Sequence, residues 1–170
     1  MLDFNILFPS VLNGLTTGAI YALVALGLTL IYGVLHIINF AHGASLMVAL
    51  YAVYALAQWG VDPYWALLPV VPGMFALGYV LQRVVINRSS HGRDENILLV
   101  TLGLSIVLEN LALLVFSSDT RTIDTPYTLS TVEIGPAFIA YPKVVAFFGA
   151  LACCALLYAV VARTRLGRAI

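Results

Sequence analysis

The sequence predicts an all-α, polytopic transmembrane helix bundle of about five hydrophobic segments. Of its 170 residues, 62% are hydrophobic and 9% charged, whereas a soluble domain carries roughly a quarter charged residues. Apolar runs of about twenty residues recur along nearly the whole length, each close to the roughly 30 Å needed to cross a hydrocarbon core as a helix. These runs are continuous rather than alternating, which excludes the short dyad-period strands of a membrane β-barrel.

The segments fall at about 10–32, 36–58, 64–85, 97–117 and 138–162. No Lys or Arg precedes the first, and no basic n-region with a small-residue cleavage site is visible, so that helix is expected to be retained rather than removed as a signal peptide. Of the eight basic residues, Arg83, Arg88 and Arg93 follow the third segment and Arg163, Arg165 and Arg168 follow the fifth. The positive-inside rule places both clusters in the cytoplasm, two crossings apart. The intervening loop, 117–135, holds Asp119, Asp124 and Glu133 with a single Arg121, and is expected outside. Lys143, at the start of the fifth segment, is placed to snorkel to the outer interface. Three crossings before Arg88 put the N-terminus outside if 36–58 spans the bilayer completely; a broken or re-entrant element there would put it inside.

Formal net charge is zero, with eight basic and eight acidic residues, so nothing points to nucleic acid as a partner. Cys153 and Cys154 are adjacent within an apolar run, a poor geometry for a disulfide and without metal-ligand spacing; they are expected to be packing residues. With no linker, charge run or repeat, residues 1–170 are expected to form one membrane domain.

Polar residues inside the apolar runs are the candidates for function. In the first segment Gly14 and Gly18 form a GxxxG pair, and Ala22 continues that face; small residues at this spacing let helix backbones approach closely in lipid. Tight packing accounts for that pattern, and a pathway role for Asn13, Thr16 and Thr17 is the alternative. In HIINFAHG, residues 36–43, His36, Asn39 and His42 recur every three residues along one side of a helix, with Gly43 allowing close approach or a break. Unpaired polar groups are costly in hydrocarbon. This side is therefore expected either to line a watery cavity or to satisfy the backbone ends of neighbouring or broken helices. In NILLVTLGLSIVLENLALLVF, Thr101, Ser105 and Glu109 form one i, i+4 stripe. An intramembrane carboxylate requires a partner, for which Asn110 or His42 are available; it acts either in a pathway or as a hydrogen-bonded link between helices.

No metal site is expected: His36 and His42 are six residues apart, and no cysteine joins them. The chain has no GxxxxGK[ST] phosphate loop, no GxSxG elbow and no HExxH motif. Any driven transport would draw its energy from another chain or from an ion gradient.

NGLTTGAIYALVALGLTLIYGVLHIINFAHGASLMVALY, residues 13–51, resembles the LivH-type permease subunits of bacterial branched-chain amino acid ABC importers, INFAHG being the most specific piece. The resemblance continues through VTLGLSIVLEN and resumes at RTRLGRAI, where Arg163, Arg165, Gly167, Arg168 and Ala169 match the stretch that leads into the helix docking on the ATPase. It implies a multi-pass protein of the bacterial inner membrane, truncated before that coupling helix and comprising about the first half of a permease. The implied partners are a second permease subunit, cytoplasmic ATPase subunits and a periplasmic amino-acid-binding protein. The implied activity is alternating-access import of leucine, isoleucine and valine, without cofactor and without covalent chemistry, although related permeases carry other amino acids, amides or urea. The resemblance also implies that the position of Glu109 more often holds a neutral residue such as Gln, which weakens a proton-coupled role. Two rival readings are an ion-coupled carrier or channel using Glu109 and His42, and a scaffold that binds other helices through the Gly14/Gly18 face.

Overall fold

A computed structural model describes residues 4–35, 38–90, 94–128, 130–135 and 137–163. Five of its helices are long and apolar enough to cross a membrane. They divide into two compact units: residues 4–34, nearly all of α1 (Phe4–Leu35), with 124–163 form one, and Leu35–Ile123 forms the other.

In the second unit, α2 (Ala41–Gln58) packs against both α3 (Pro63–Val80) and α5 (Asp94–Phe116). The buried residues at these contacts are small: Ala41 and Ala44 on α2, Ala66 and Val70 on α3, Thr101, Ser105 and Ala112 on α5. Large apolar side chains such as Leu50, Phe75, Leu99 and Leu114 point outward. This inversion of a soluble protein suits lipid, where dispersion contacts between closely approaching backbones replace the hydrophobic effect.

The α2–α3 connection follows from local chemistry. Gly60 takes the left-handed conformation, φ 83°, and the N–H groups of Trp59, Gly60 and Val61 return to carbonyls of the last turn of α2, as in a glycine-terminated helix. Asp62 then caps α3, its Oδ1 accepting from Tyr64 N at 2.9 Å, with Pro63 in the first turn where its missing N–H costs nothing. Beyond α3 the helix widens into a π-helical stretch, Leu81–Ile86, before α4 (Asn87–Ser90). Gln82 Nε2 donates to Asn87 Oδ1 at 3.0 Å, an i, i+5 pairing that the wider turn brings onto one face.

Helices α2 and α5 run parallel. Phe40 N lies 3.3 Å from Thr101 Oγ1 at one end, and the Tyr51 ring stacks on Phe116 at 4.3 Å further along both helices. Because α5 leaves the arginine-bearing side, so does α2.

In the first unit, 32-residue α1 is about 48 Å long, more than a bilayer core requires, so tilt or protrusion accommodates it. A short antiparallel hairpin, β1 (Thr131–Ile134) with β2 (Ala137–Ala140), pairs Thr131 with Ala140 and Ile134 with Ala137. Gly135, φ 60°, opens its turn. This hairpin occupies part of the segment expected to be loop and the first residues of the expected fifth helix, so α6 (Tyr141–Arg163) starts at Tyr141.

Helices α1 and α6 are also parallel. Lys143 Nζ donates to Asn13 Oδ1 at 2.7 Å near the beginning of each. Further along, Leu26, Thr29, Leu30 and Gly33 line one groove with Cys154, Leu157, Tyr158 and Val161. Since α6 ends at Arg163, the positive-inside rule puts the start of α1 on the opposite, outer side. In a variant with Cys153 and Cys154 replaced, we therefore predict that Ile6→Cys reacts with a membrane-impermeant maleimide added outside intact spheroplasts. Ser89→Cys should react only after lysis; labelling of both positions from the same side would refute the parallel arrangement, and the reverse pattern would refute the orientation given by the positive-inside rule.

Candidate functional site

Within the polar stretch at 36–43, described residues 38–40 are not helical, and 41–43 open α2. Helix α2 begins at Ala41, so the expected 36–58 segment is an 18-residue helix preceded by non-helical residues 38–40; Ala41–Gln58 is still long and apolar enough to cross a membrane, which leaves the count of crossings unchanged. Thr101 sits five residues beyond Asn96, where the apolar part of α5 begins, about 7 Å along the helix. The start of α2 therefore lies beside the apolar length of α5, not beside its polar first turn.

A helix start leaves orphan N–H groups, and no water is at hand inside hydrocarbon to take them. Here side chains and the preceding carbonyl serve. Asn39 Oδ1 accepts from Ala41 N at 3.0 Å and Asn39 O accepts from His42 N at 3.2 Å, a local Asx turn. Thr101 Oγ1, on α5, accepts from Phe40 N at 3.3 Å while donating to Leu98 O at 3.1 Å. Thr101 is 1% exposed, and Ala41 and Ala44 are small enough to let α5 come this close. Ser45 Oγ returns a bond to Ala41 O at 2.8 Å. Among the described residues, no buried side-chain N or O atom lacks a hydrogen-bond partner. Of the residues singled out in this stretch, Asn39 thus pairs backbone at the break, His42 is half-buried in the first turn of α2, and His36 lies outside the described residues.

One turn further along α5, buried Ser105 donates from Oγ to Glu109 Oε1 at 2.9 Å. The partner of Glu109 is thus on its own helix; Asn110, offered as a partner by its position, instead donates from Nδ2 to Ile106 O at 2.7 Å. Glu109 and Asn110 are both exposed on this chain. The stripe Thr101, Ser105, Glu109 therefore changes along its length: its beginning is spent on bracing α2, and its end carries an accessible carboxyl group.

Among the described residues, the small-residue positions have open space around them. A Cβ placed on Gly14, Gly18 or Gly43 would meet no atom within 4 Å, and Ala22 is exposed. Thr16, also in the first segment, bonds its own helix at Leu12 O and Asn13 O, while Asn13 takes Lys143 as described. Arg163 is the exposed last residue of α6; Arg165, Gly167 and Arg168 lie outside the described residues. Cys153 and Cys154 are free thiols, and the described residues contain no group of three His, Cys, Asp or Glu able to hold a metal ion.

One feature of the break escaped sequence reasoning: Thr101 was grouped with Glu109 by spacing, yet its partner is 61 residues away in the chain. Thr101→Val keeps the shape of the side chain and strands the Phe40 amide, so it should cost about 1–3 kcal/mol. Asn39→Ala, which removes the Asx turn, should cost about 0.5–2 kcal/mol. Thr101→Ser should restore most of the loss. Denaturant unfolding of the purified full-length protein in mixed micelles measures all three, and equal stability of Thr101→Val and wild type would remove the brace from the account.

Residues 10–170 match the family model described as branched-chain amino acid transport system / permease component. The branched-chain amino acid permease protein BraD of Pseudomonas aeruginosa is 32% identical over 170 residues, covering 92% of this chain and 55% of its own length. The LivH permease proteins of Salmonella typhimurium and Escherichia coli K12 are each 33% identical over 119 residues, covering 64% of this chain and 38% of theirs. The chain thus spans about half the length, or less, of these relatives. No solved structure matches it. With its membrane-spanning helices and a family match that starts at Ser10 and runs the length of the chain, this multi-pass inner-membrane protein belongs to the permease components of branched-chain amino acid transport systems.

Proposed function

We propose that the chain forms part of a permease subunit of an ATP-binding-cassette importer that moves leucine, isoleucine and valine inward by alternating access. The observation that carries this reading is the family match over residues 10–170, together with relatives whose names specify high-affinity branched-chain amino acid transport. ATP hydrolysis belongs to cytoplasmic ATPase subunits in this scheme. Substrate delivery belongs to a periplasmic binding protein, and a second permease subunit completes the pathway.

Alternating access needs helices that tilt as rigid bodies. The brace at Asn39 and Thr101 supports that role, because it ties the inner end of α2 to α5 so that the pair moves together. Helix packing through Gly14, Gly18, Ala22 and Gly43 is assigned to helices outside this chain, since those faces are open in it. Arg163, with Arg165, Gly167 and Arg168, forms the approach to the ATPase. His36, Asn39, His42, Ser105, Glu109 and Asn110 are assigned to the boundary between this brace and the pathway.

The decisive assay is uptake of radiolabelled leucine by cells that express the complete system. Uptake should stop when the partner ATPase loses its catalytic carboxylate and should persist when an uncoupler collapses the proton gradient. Asn39→Leu should lower uptake at least several-fold while membrane insertion stays normal. Uptake that survives a dead ATPase and collapses with the uncoupler would instead select an ion-coupled carrier using Glu109 and His42; no uptake under any driving force would leave a scaffold.

A further inference from the structure

At the outer end of the α2–α5 pair, the chain after α5 folds back over the helix terminus. Ser117 adopts φ 62° and its N–H closes on Leu113 O at 2.9 Å, which ends α5. Ser118, Asp119, Thr120, Arg121 and Ile123 then form one wall of a cavity of about 530 Å³, and α2 forms the other. This size lies within the roughly 300–1,000 Å³ of small-molecule sites. The cavity lies on the side opposite the cytoplasmic arginines, where a ligand arriving from outside would meet it.

Its lining combines two chemistries. Met47, Leu50, Tyr51 and Ile123 offer an apolar surface, and Asp119 and Arg121 offer one charge of each sign. The apolar wall is held in place, since Tyr51 stacks on Phe116 at 4.3 Å and Tyr54 meets the same ring edge-on at 6.3 Å. Arg121 is held as well. One guanidinium nitrogen donates to Phe116 O at 2.8 Å, at the negative end of the helix dipole, and the group lies 6.0 Å from the Tyr54 ring centroid. The Arg121–Asp119 contact is long, 3.9 Å, with side chains 38% and 78% exposed. An exposed ion pair of that kind contributes little, so a ligand that separates it loses little.

We propose that this cavity binds an apolar α-amino acid as its zwitterion, with the α-carboxylate on Arg121, the α-ammonium on Asp119 and the side chain against Met47, Leu50 and Tyr51. The inference rests on the permease reading above and gives it a specific site on the outer face. An anchored guanidinium suits a carboxylate because its remaining N–H groups form a planar fork. The two opposite charges select a molecule that carries both, and the apolar wall selects against polar side chains. A zwitterionic phospholipid headgroup offers the same pair of charges, so the test separates the two.

The experiment is equilibrium binding of radiolabelled L-leucine to the full-length permease in nanodiscs, without binding protein or ATP. Saturable binding should weaken at least tenfold in Arg121→Gln and in Asp119→Asn, and partly in Arg121→Lys. Unlabelled isoleucine should compete. Isopentylamine, which lacks the carboxylate, and 4-methylpentanoate, which lacks the ammonium, should not. Asp119→Asn leaves the Arg121–Phe116 bond in place, so loss of binding there is not loss of the helix end. Unchanged affinity in both charge variants, absence of saturable leucine binding, or competition by phosphoethanolamine in place of isoleucine would overturn the proposal. Leucine uptake by the intact system is measured alongside. Uptake without binding at this cavity defeats the cavity alone, whereas a complete system that imports no branched-chain amino acid defeats the permease reading beneath it.

Discussion

A helix that begins beside the apolar length of its neighbour exposes backbone N–H groups where hydrocarbon offers no water to take them, and the arrangement of α2 and α5 answers that constraint. Asn39 turns back on Ala41 and His42, and Thr101 accepts the Phe40 amide from a neighbouring helix. The second contact demands that α5 come within hydrogen-bond reach of the α2 backbone, which the small side chains of Ala41 and Ala44 permit. Once this end is pinned, the parallel course of the two helices follows, and at the far end Tyr51 meets Phe116. The outer cavity is bounded by that same aromatic contact. One polar brace near the inner side thereby sets the register of both helices through the membrane.

Much of the architecture was legible in the sequence because lipid imposes so few solutions. Five apolar runs yielded five long helices, with ends displaced by a few residues, and the arginine clusters gave sides consistent with the parallel pairs α1–α6 and α2–α5. The misses have local causes. The break between α1 and α2 interrupts a region whose composition stays apolar, so hydropathy could not see it; the polar residues of INFAHG were the only trace. The β1–β2 hairpin was missed because VEIGPAFI merges into the following apolar run, although Gly–Pro between two β-branched or aromatic stretches was a usable signal.

The candidate site was read in outline only. Thr101, Ser105 and Glu109 do share a face, but periodicity along one helix says nothing about what stands opposite. Thr101 proved to belong with Phe40, Ser105 with Glu109, and Asn110 with its own helix. The GxxxG pattern shows the same limit: spacing identifies a face suited to close approach, yet among the described residues a Cβ on Gly14 or Gly18 would meet nothing within 4 Å. Of the polar side chains buried among the described residues, Thr16 and Thr101 bond backbone, and Ser105 bonds the Glu109 carboxyl group on its own helix.

The most direct test of this account is hydrogen–deuterium exchange of the full-length protein in nanodiscs, resolved at the amides of residues 39–42. The account predicts slow exchange at Phe40 and Ala41 in the wild type and exchange at least tenfold faster at Phe40 in Thr101→Val, with the middle of α2 unchanged. Equal exchange at Phe40 in the two proteins would contradict it, because the amide would then be protected by something other than the Thr101 hydroxyl.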